Sequence, residues 1–220
     1  MGKQSDHSTV VLGLGRFGRS LALELAKREV QVLGIDRDPK IVQDLAEQLT
    51  HVVAADTTDP QALRQLGVAD FGHAVVAIGT HMEASILTVA ALSDLGVKSI
   101  WAKALNRMQG RILERVGAHR VVLPEHEMGE RVAHLVTGRM LDFIAFEDDY
   151  ALVKTRTPEE AVGKSLGEAR LRSKYSVTVV GIKRSGQDFT YATQETVVEP
   201  GDILIVAGRT KAVEDFAELT

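Results

Sequence analysis

The stretch that decides the fold is Val10-Val11-Leu12-Gly13-Leu14-Gly15-Arg16-Phe17-Gly18, followed by a second apolar run from Val30 to Ile35 that closes on Asp36. An apolar strand opening through G-x-G-x-x-G into a helix, with an acidic residue at the end of the next strand, is the context a dinucleotide-type fingerprint requires. Each glycine has a steric reason. Gly13 allows the tight turn, Gly15 lets backbone approach phosphate oxygens, and Gly18 lets helix and strand pack closely. The helix start then offers N–H groups and a positive dipole end to phosphate. Asp36 suits the two ribose hydroxyls and repels a 2′-phosphate, an exclusion that neighbouring Arg37 weakens.

The same grammar continues along the chain. Strands are expected at His51–Ala55, Ala74–Ile78, Ser99–Lys103 and Arg120–Leu123, alternating with helices. Pro60 sits in a first helical turn with Asp59 as N-cap. Continuously apolar strands separated by helices imply a parallel sheet covered on both faces, hence an α/β, Rossmann-like doubly wound domain. A longer helix is expected from Pro124, with Met128, Val132, Leu135, Val136 and Met140 at helical spacing, ending between Phe143 and Tyr150, where Glu147-Asp148-Asp149 breaks the pattern. The boundary is placed so that residues 1–142 form the nucleotide-binding domain and 143–220 a small α+β domain. Short β-like runs at Leu152–Lys154, Val177–Ile182 and Ile203–Val206, turns at Ser185-Gly186 and Pro200-Gly201-Asp202, and a final helix at Lys211–Leu219 make up the second domain.

Composition removes several function classes. Cysteine is absent from the 220 residues, which excludes disulfides, thiolate nucleophiles and Cys-based metal centres. There is no apolar run long enough to span a bilayer, and the polar first nine residues lack the core of a signal peptide. Residues 1–142 carry 16 basic and 17 acidic side chains and residues 143–220 carry 10 and 13, so neither half advertises a nucleic-acid partner. His126-Glu127-x-x-Glu130 lacks the second histidine of a zinc-protease helix, and neither a nucleophile elbow nor a Walker loop is present.

Several other residues belong to the expected carboxyl edge of the sheet, each with two readings. Arg16 either reaches the far phosphates of a nucleotide, in its own or a neighbouring subunit, or is a solvated surface arginine. Asp56-Thr57-Thr58 either flanks the adenine end or is a polar loop. Gly79 follows strand four on the same edge, and Lys103, ending strand five, either points into the crevice or merely ends a strand. Glu125 either holds a cation near the phosphates or complements the helix dipole.

The segments VVLGLGRFGRSLALEL, VLGIDRD, VAADTTD, VVAIGT, IWAKALN, GAHRVVLPEHEMG and VEPGDILIVAG, in this order, resemble the RCK (regulator of potassium conductance) subunits of bacterial Ktr/Trk potassium-uptake systems. The resemblance spans nearly the whole chain, with Arg16 and Glu125 matching the Ktr-type pattern. It implies a non-enzymatic regulator at the cytoplasmic face of the membrane, forming dimers that assemble into an octameric ring on an integral-membrane potassium translocator. It implies ATP/ADP, or alternatively NAD(H), in a site formed by Gly13, Leu14, Gly15, Arg16, Phe17, Gly18, Asp36, Arg37, Asp56, Thr57, Gly79, Lys103 and Glu125. Arg16 would touch the γ-phosphate across a dimer interface, and Glu125 would take part in binding Mg2+ or another cation. Cyclic di-AMP is a further implied ligand, in the second domain beside Arg172. The rival from another class is an NAD-dependent oxidoreductase, against which the second domain offers no evident His/Lys/Tyr constellation for hydride transfer.

Overall fold

The computed structural model describes residues 8–136, 139–146 and 149–220. Residues 1–7 of the polar start and Glu147-Asp148 of the expected breaker lie outside the described residues, while Ser8 and Thr9 belong to the first strand. Two compact units emerge, one reaching His126 and one running from Glu127 to Thr220.

The first unit is a six-stranded parallel sheet in the order β3-β2-β1-β4-β5-β6. Its strands are β1 (Ser8–Leu12), β2 (Gln31–Asp36), β3 (His51–Ala54), β4 (His73–Val76), β5 (Ile100–Lys103) and β6 (Arg120–Val122). Between them run α1 (Arg16–Lys27), α2 (Pro39–Leu45), α3 (Pro60–Gln65), α4 (Met82–Asp94) and α5 (Arg107–Arg115). Side chains alternate across the sheet as the strand period demands. Val10 and Leu12 of β1 share one core with Leu33, Ile35, Leu63, Val89, Leu92 and Leu113. Val11 and Val32 share the opposite core with Ala22 and Leu45, under α1 and α2. Acidic caps fix where two helices begin: Asp38 accepts from the Lys40 amide at 2.9 Å and Asp59 from the Gln61 amide at 2.8 Å, each followed by proline in the first turn. The sheet order reverses between β1 and β4, and in such folds the crevice beyond the carboxyl ends at that point receives ligands.

The second unit carries a five-stranded sheet, β10-β9-β11-β8-β7, with every neighbouring pair antiparallel. Its strands are β7 (Met140–Ala145), β8 (Tyr150–Arg156), β9 (Val177–Lys183), β10 (Phe189–Tyr191) and β11 (Ile203–Arg209). Short helices α7 (Leu166–Ala169) and α8 (Leu171–Tyr175) and the final α9 (Thr210–Ala217) complete it. Its core joins Phe143, Val153, Leu171, Ile182, Leu204, Val206 and Phe216. Gly201 adopts φ +81°, as the central glycine of the expected turn must.

One expectation fails at the junction. Helix α6 (Pro124–Val136) does not extend through Met140, because Met140 opens strand β7 and pairs with Thr155 of β8. A division at 142/143 would therefore cut a strand. The ladder with β8 outweighs the helical spacing of the apolar residues, and Leu135 of α6 packs against the second core. The turn of α6 that begins at Glu127 thus groups with the second unit.

Candidate functional site

The β1–α1 turn is built by its glycines. Gly13 has φ +93°, a region that a side chain rarely enters, and a Cβ there would stand 3.0 Å from Ile78 Cγ1. A Cβ on Gly18 would lie only 1.9 Å from the Gly13 carbonyl oxygen, so α1 sits on the turn as only glycine permits. Gly15 is the N-cap of α1, with no capping side chain and no acidic residue in the first turn among the described residues. Nothing lies within 4 Å of where its Cβ would be, so its face is open.

Asp36 closes the turn from the side. Its Oδ2 accepts from the Leu14 amide at 2.6 Å and its Oδ1 from the Asp38 amide at 2.9 Å. Each carboxylate oxygen keeps a second lone-pair direction for a ligand hydroxyl. Asp56 folds its own loop in the same way, Oδ1 taking the Thr58 amide at 2.9 Å and the Thr58 hydroxyl at 2.7 Å. Those bonds, the amide first, hold the Asp56 carboxyl below its ordinary range, with the charge of Arg37 adding to the effect. Thr57 turns inward, its hydroxyl 3.0 Å from that of Thr88 on α4.

These pieces enclose a cavity of about 760 Å3 at the sheet's switch point. Of the residues expected from sequence, Gly13, Gly15, Asp36, Arg37, Asp56, Thr57 and Gly79 line it. Leu14 contributes its amide while its side chain is buried beside Val11. Phe17 and Gly18 support the turn from outside the cavity.

Sequence reasoning missed His81. It lines the cavity, and its Nε2 stands 3.0 Å from Arg37 Nη2. Arginine only donates, so His81 Nε2 accepts and the ring proton sits on Nδ1. The pair spans from the end of β2 to the start of α4. The signal that would have found His81 is its place in the turn after β4, on the same edge as Gly79.

Arg16, Lys103 and Glu125 form a separate cluster next to the cavity. Lys103 Nζ donates to Glu125 Oε1 at 2.6 Å and lies 5.6 Å from the centre of the Phe17 ring. The Lys103 hydrogen bond foremost, with Arg16 as a more distant charge, holds the Glu125 carboxyl below its usual range. The donor set does not fit a metal held by this chain alone. Glu125 is neutralised by an ammonium and faces a second cation, and no group of three His, Cys, Asp or Glu side chains among the described residues is placed to hold an ion.

Arg172 lines a second cavity, of about 490 Å3, in the second unit, together with Arg170, Thr178 and Gln194. No helix among the described residues is long and apolar enough to cross a membrane.

Comparison with known proteins agrees with this architecture. Residues 9–124 match the TrkA-N domain and residues 151–220 the TrkA-C domain. The Ktr system potassium uptake protein C of Bacillus subtilis is 36% identical over 94% of this chain and 94% of its own. Protein A of the same organism's Ktr system is 33% identical over 98% of both chains. Among solved structures, the GsuK RCK domain superposes with a TM-score of 0.67 at 20% identity, covering 100% of this chain and 48% of that one. The GsuK channel bound to NAD gives 0.65 at 19% identity, over 96% and 39% of the two chains. GsuK bound to ADP gives 0.51 at 25%, over 62% and 35%. With both halves matched in order over a Rossmann-like sheet and a small antiparallel one, the chain belongs to the TrkA-N/TrkA-C family of RCK proteins, alongside the Ktr system potassium uptake proteins.

Proposed function

We propose that this chain is the nucleotide-sensing regulatory subunit of a potassium-uptake system and that it changes shape on binding its ligand without transforming it. The observation that carries this reading is the cavity at the switch point, lined by the glycine turn, by Asp36 beside that turn and by the Asp56–Thr58 loop. The turn suits phosphates, Asp36 suits a ribose diol, and the Asp56–Thr58 loop suits the adenine end. ATP and ADP are the ligands we assign first and NAD(H) second, since Asp36 serves either ribose; relatives of the fold have been solved with NAD and with ADP.

The switching rests on differential affinity, because a ligand shifts two states only by the difference in its affinity for them. ATP and ADP share everything but the last phosphate, so the residues that read that phosphate carry the switch. Arg16, at the first position of α1 and close to Glu125, is our candidate. The names of the relatives support a membrane potassium translocator as partner, and with it a place at the cytoplasmic face. Met128, Val132 and Val136 leave an exposed apolar row along α6, which supports assembly into dimers and a ring. We assign cyclic di-AMP to the second cavity, where Arg170 and Arg172 suit phosphates.

Calorimetry with ATP, ADP and NADH on the full chain tests the reading, alongside mass spectrometry of the nucleotide that co-purifies. Binding of one of these, lost in Asp36→Ala, is expected. A chain that binds none of them has no such function.

A further inference from the structure

Arg37 and His81 meet across the crevice. Arg37 follows β2 directly, and His81 stands just before α4, beyond the end of β4. In the sheet β1 lies between β2 and β4, so their carboxyl ends are two strand spacings apart, about 10 Å, with the glycine turn between them. Arg37 Nη2 and His81 Nε2 close that span at 3.0 Å. Both residues line the cavity, and its volume of about 760 Å3 is present with the bond made. The pair therefore covers the ligand space and does not fill it.

The bases of the two side chains are fixed while their tips are free to part. His81 caps α4 through its backbone, its carbonyl accepting from the Ser85 amide at 3.0 Å, and its ring takes no part in the cap. The bond between the tips has one electrical requirement. Arginine only donates, so the bond exists only while His81 Nε2 keeps its lone pair. A proton on Nε2 removes the acceptor and sets a second cation against the first. The other charged side chains that line the cavity are the carboxylates of Asp36 and Asp38 on either side of Arg37, Asp56 after β3, and Glu83 in the first turn of α4. Each freed cation thus keeps a carboxylate on its own side of the crevice. Among these side-chain types histidine alone changes charge between pH 8 and pH 6.

We propose that Arg37 and His81 form a strap across the cavity that acid unfastens: neutral His81 positions Arg37 over the bound nucleoside, and protonation of Nε2 releases the cover. This rests on the nucleotide reading of the cavity and adds regulation by pH to it. The nucleoside end of the ligand is the part that feels the strap. Acid therefore loosens a ligand that carries no phosphate at all.

Calorimetry on the full chain at pH 8 and pH 6, with adenosine as titrant, reads the strap. Adenosine is chosen because a phosphate monoester itself titrates near pH 6. Wild type should bind adenosine about three- to tenfold more weakly at pH 6, the worth of one exposed hydrogen bond. His81→Gln offers Arg37 an amide oxygen at every pH, so its affinities at the two pH values should agree, whatever their level. Arg37→Met leaves the imidazolium no cation to repel, so its two affinities should agree as well; Arg37→Gln serves if the Met variant fails to melt cooperatively. If wild type binds neither ADP nor adenosine at pH 8, the nucleotide reading falls and the strap with it. If it binds ADP but no adenosine, or binds adenosine at pH 6 as tightly as at pH 8 or more so, the nucleotide reading stands and the strap is overturned. An acid loss that persists in His81→Gln or in the Arg37 variant overturns it equally.

Discussion

A methyl group at Gly18 and one at Gly15 should have opposite consequences, although both glycines belong to one motif. At Gly18 the new Cβ would lie 1.9 Å from the Gly13 carbonyl oxygen and 3.0 Å from Ala77 Cβ. The first obstacle is backbone, which has no rotamer to change. Relief requires α1 to move away from β1 by roughly 1 Å, through a core packed to crystal density. Overpacking of this kind costs about 3 kcal/mol, a large share of the roughly 5–15 kcal/mol that holds a domain together. The melting temperature of Gly18→Ala should fall by about 10 °C. At Gly15 nothing lies within 4 Å, and φ −62°, ψ −172° suits alanine. The entropy removed from the unfolded chain, about 0.4–1 kcal/mol, offsets the weaker N-cap that alanine makes, about 0.5–1 kcal/mol. Gly15→Ala should therefore melt within 1–2 °C of wild type while holding the phosphates off the helix start. ADP affinity should drop at least tenfold, or about 1.4 kcal/mol, with adenosine affinity unchanged. Thermal unfolding followed by circular dichroism, and calorimetric titration of ADP and adenosine, read both effects. A Gly15→Ala protein that melts like wild type and binds ADP equally well would refute the assignment of the turn as the phosphate site. A Gly18→Ala protein of undiminished stability would refute the packing account.

Three further expectations follow from other parts of the molecule. Asp202 is 1% exposed, its two oxygens held by Arg184 Nε and Nη2, each at 2.9 Å, and by the Glu199 amide at 2.8 Å. Arg184 foremost lowers its pKa, so the stability it contributes is whole above the unfolded value of about 3.9 and is lost as pH falls from there through the folded value; Asp202→Ala should cost roughly 3 kcal/mol at pH 7 and flatten the acid side of the unfolding profile below about pH 4, and a slope equal to that of wild type would remove Asp202 as its source. Thr88→Val preserves volume but leaves the buried Thr57 hydroxyl without its partner at 3.0 Å, so urea unfolding should show a loss of about 1 kcal/mol, and an unchanged midpoint would show that this hydroxyl pair adds nothing to the cavity wall. Arg16→Ala should keep nucleotide binding while narrowing the difference between ATP and ADP, and an unaltered ATP preference by calorimetry would remove Arg16 from the switch.

What the sequence discloses, and what it conceals, follows the range of the interactions. The glycine turn, the Asp59 cap and the β2 carboxylate at Asp36 were all legible, because each meets a demand of the backbone within a few residues of itself. The end of α6 was not. Met128, Val132, Val136 and Met140 share one helical spacing, and only the ladder between Met140 and Thr155 turns the last of them into a strand. Helices α7 and α8 and strand β10 run for four, five and three residues, too short for any period to register. The side-chain pairs of the site were hidden for a related reason. Arg37 and His81 are 44 positions apart and Lys103 and Glu125 are 22 apart, so their meeting depends on strand order and leaves no local trace. The composition of such a pair is equally silent, since a lysine at the end of a strand reads the same whether it faces water or is buried against a carboxylate. Gly79 is the exception that makes the cluster intelligible. A glycine after β4 reads as a loop residue until a side chain at that position is seen to press on the Lys103 ammonium. The constraint on Gly79 comes from Lys103 on the neighbouring strand, 24 positions along the chain, and no local pattern records it.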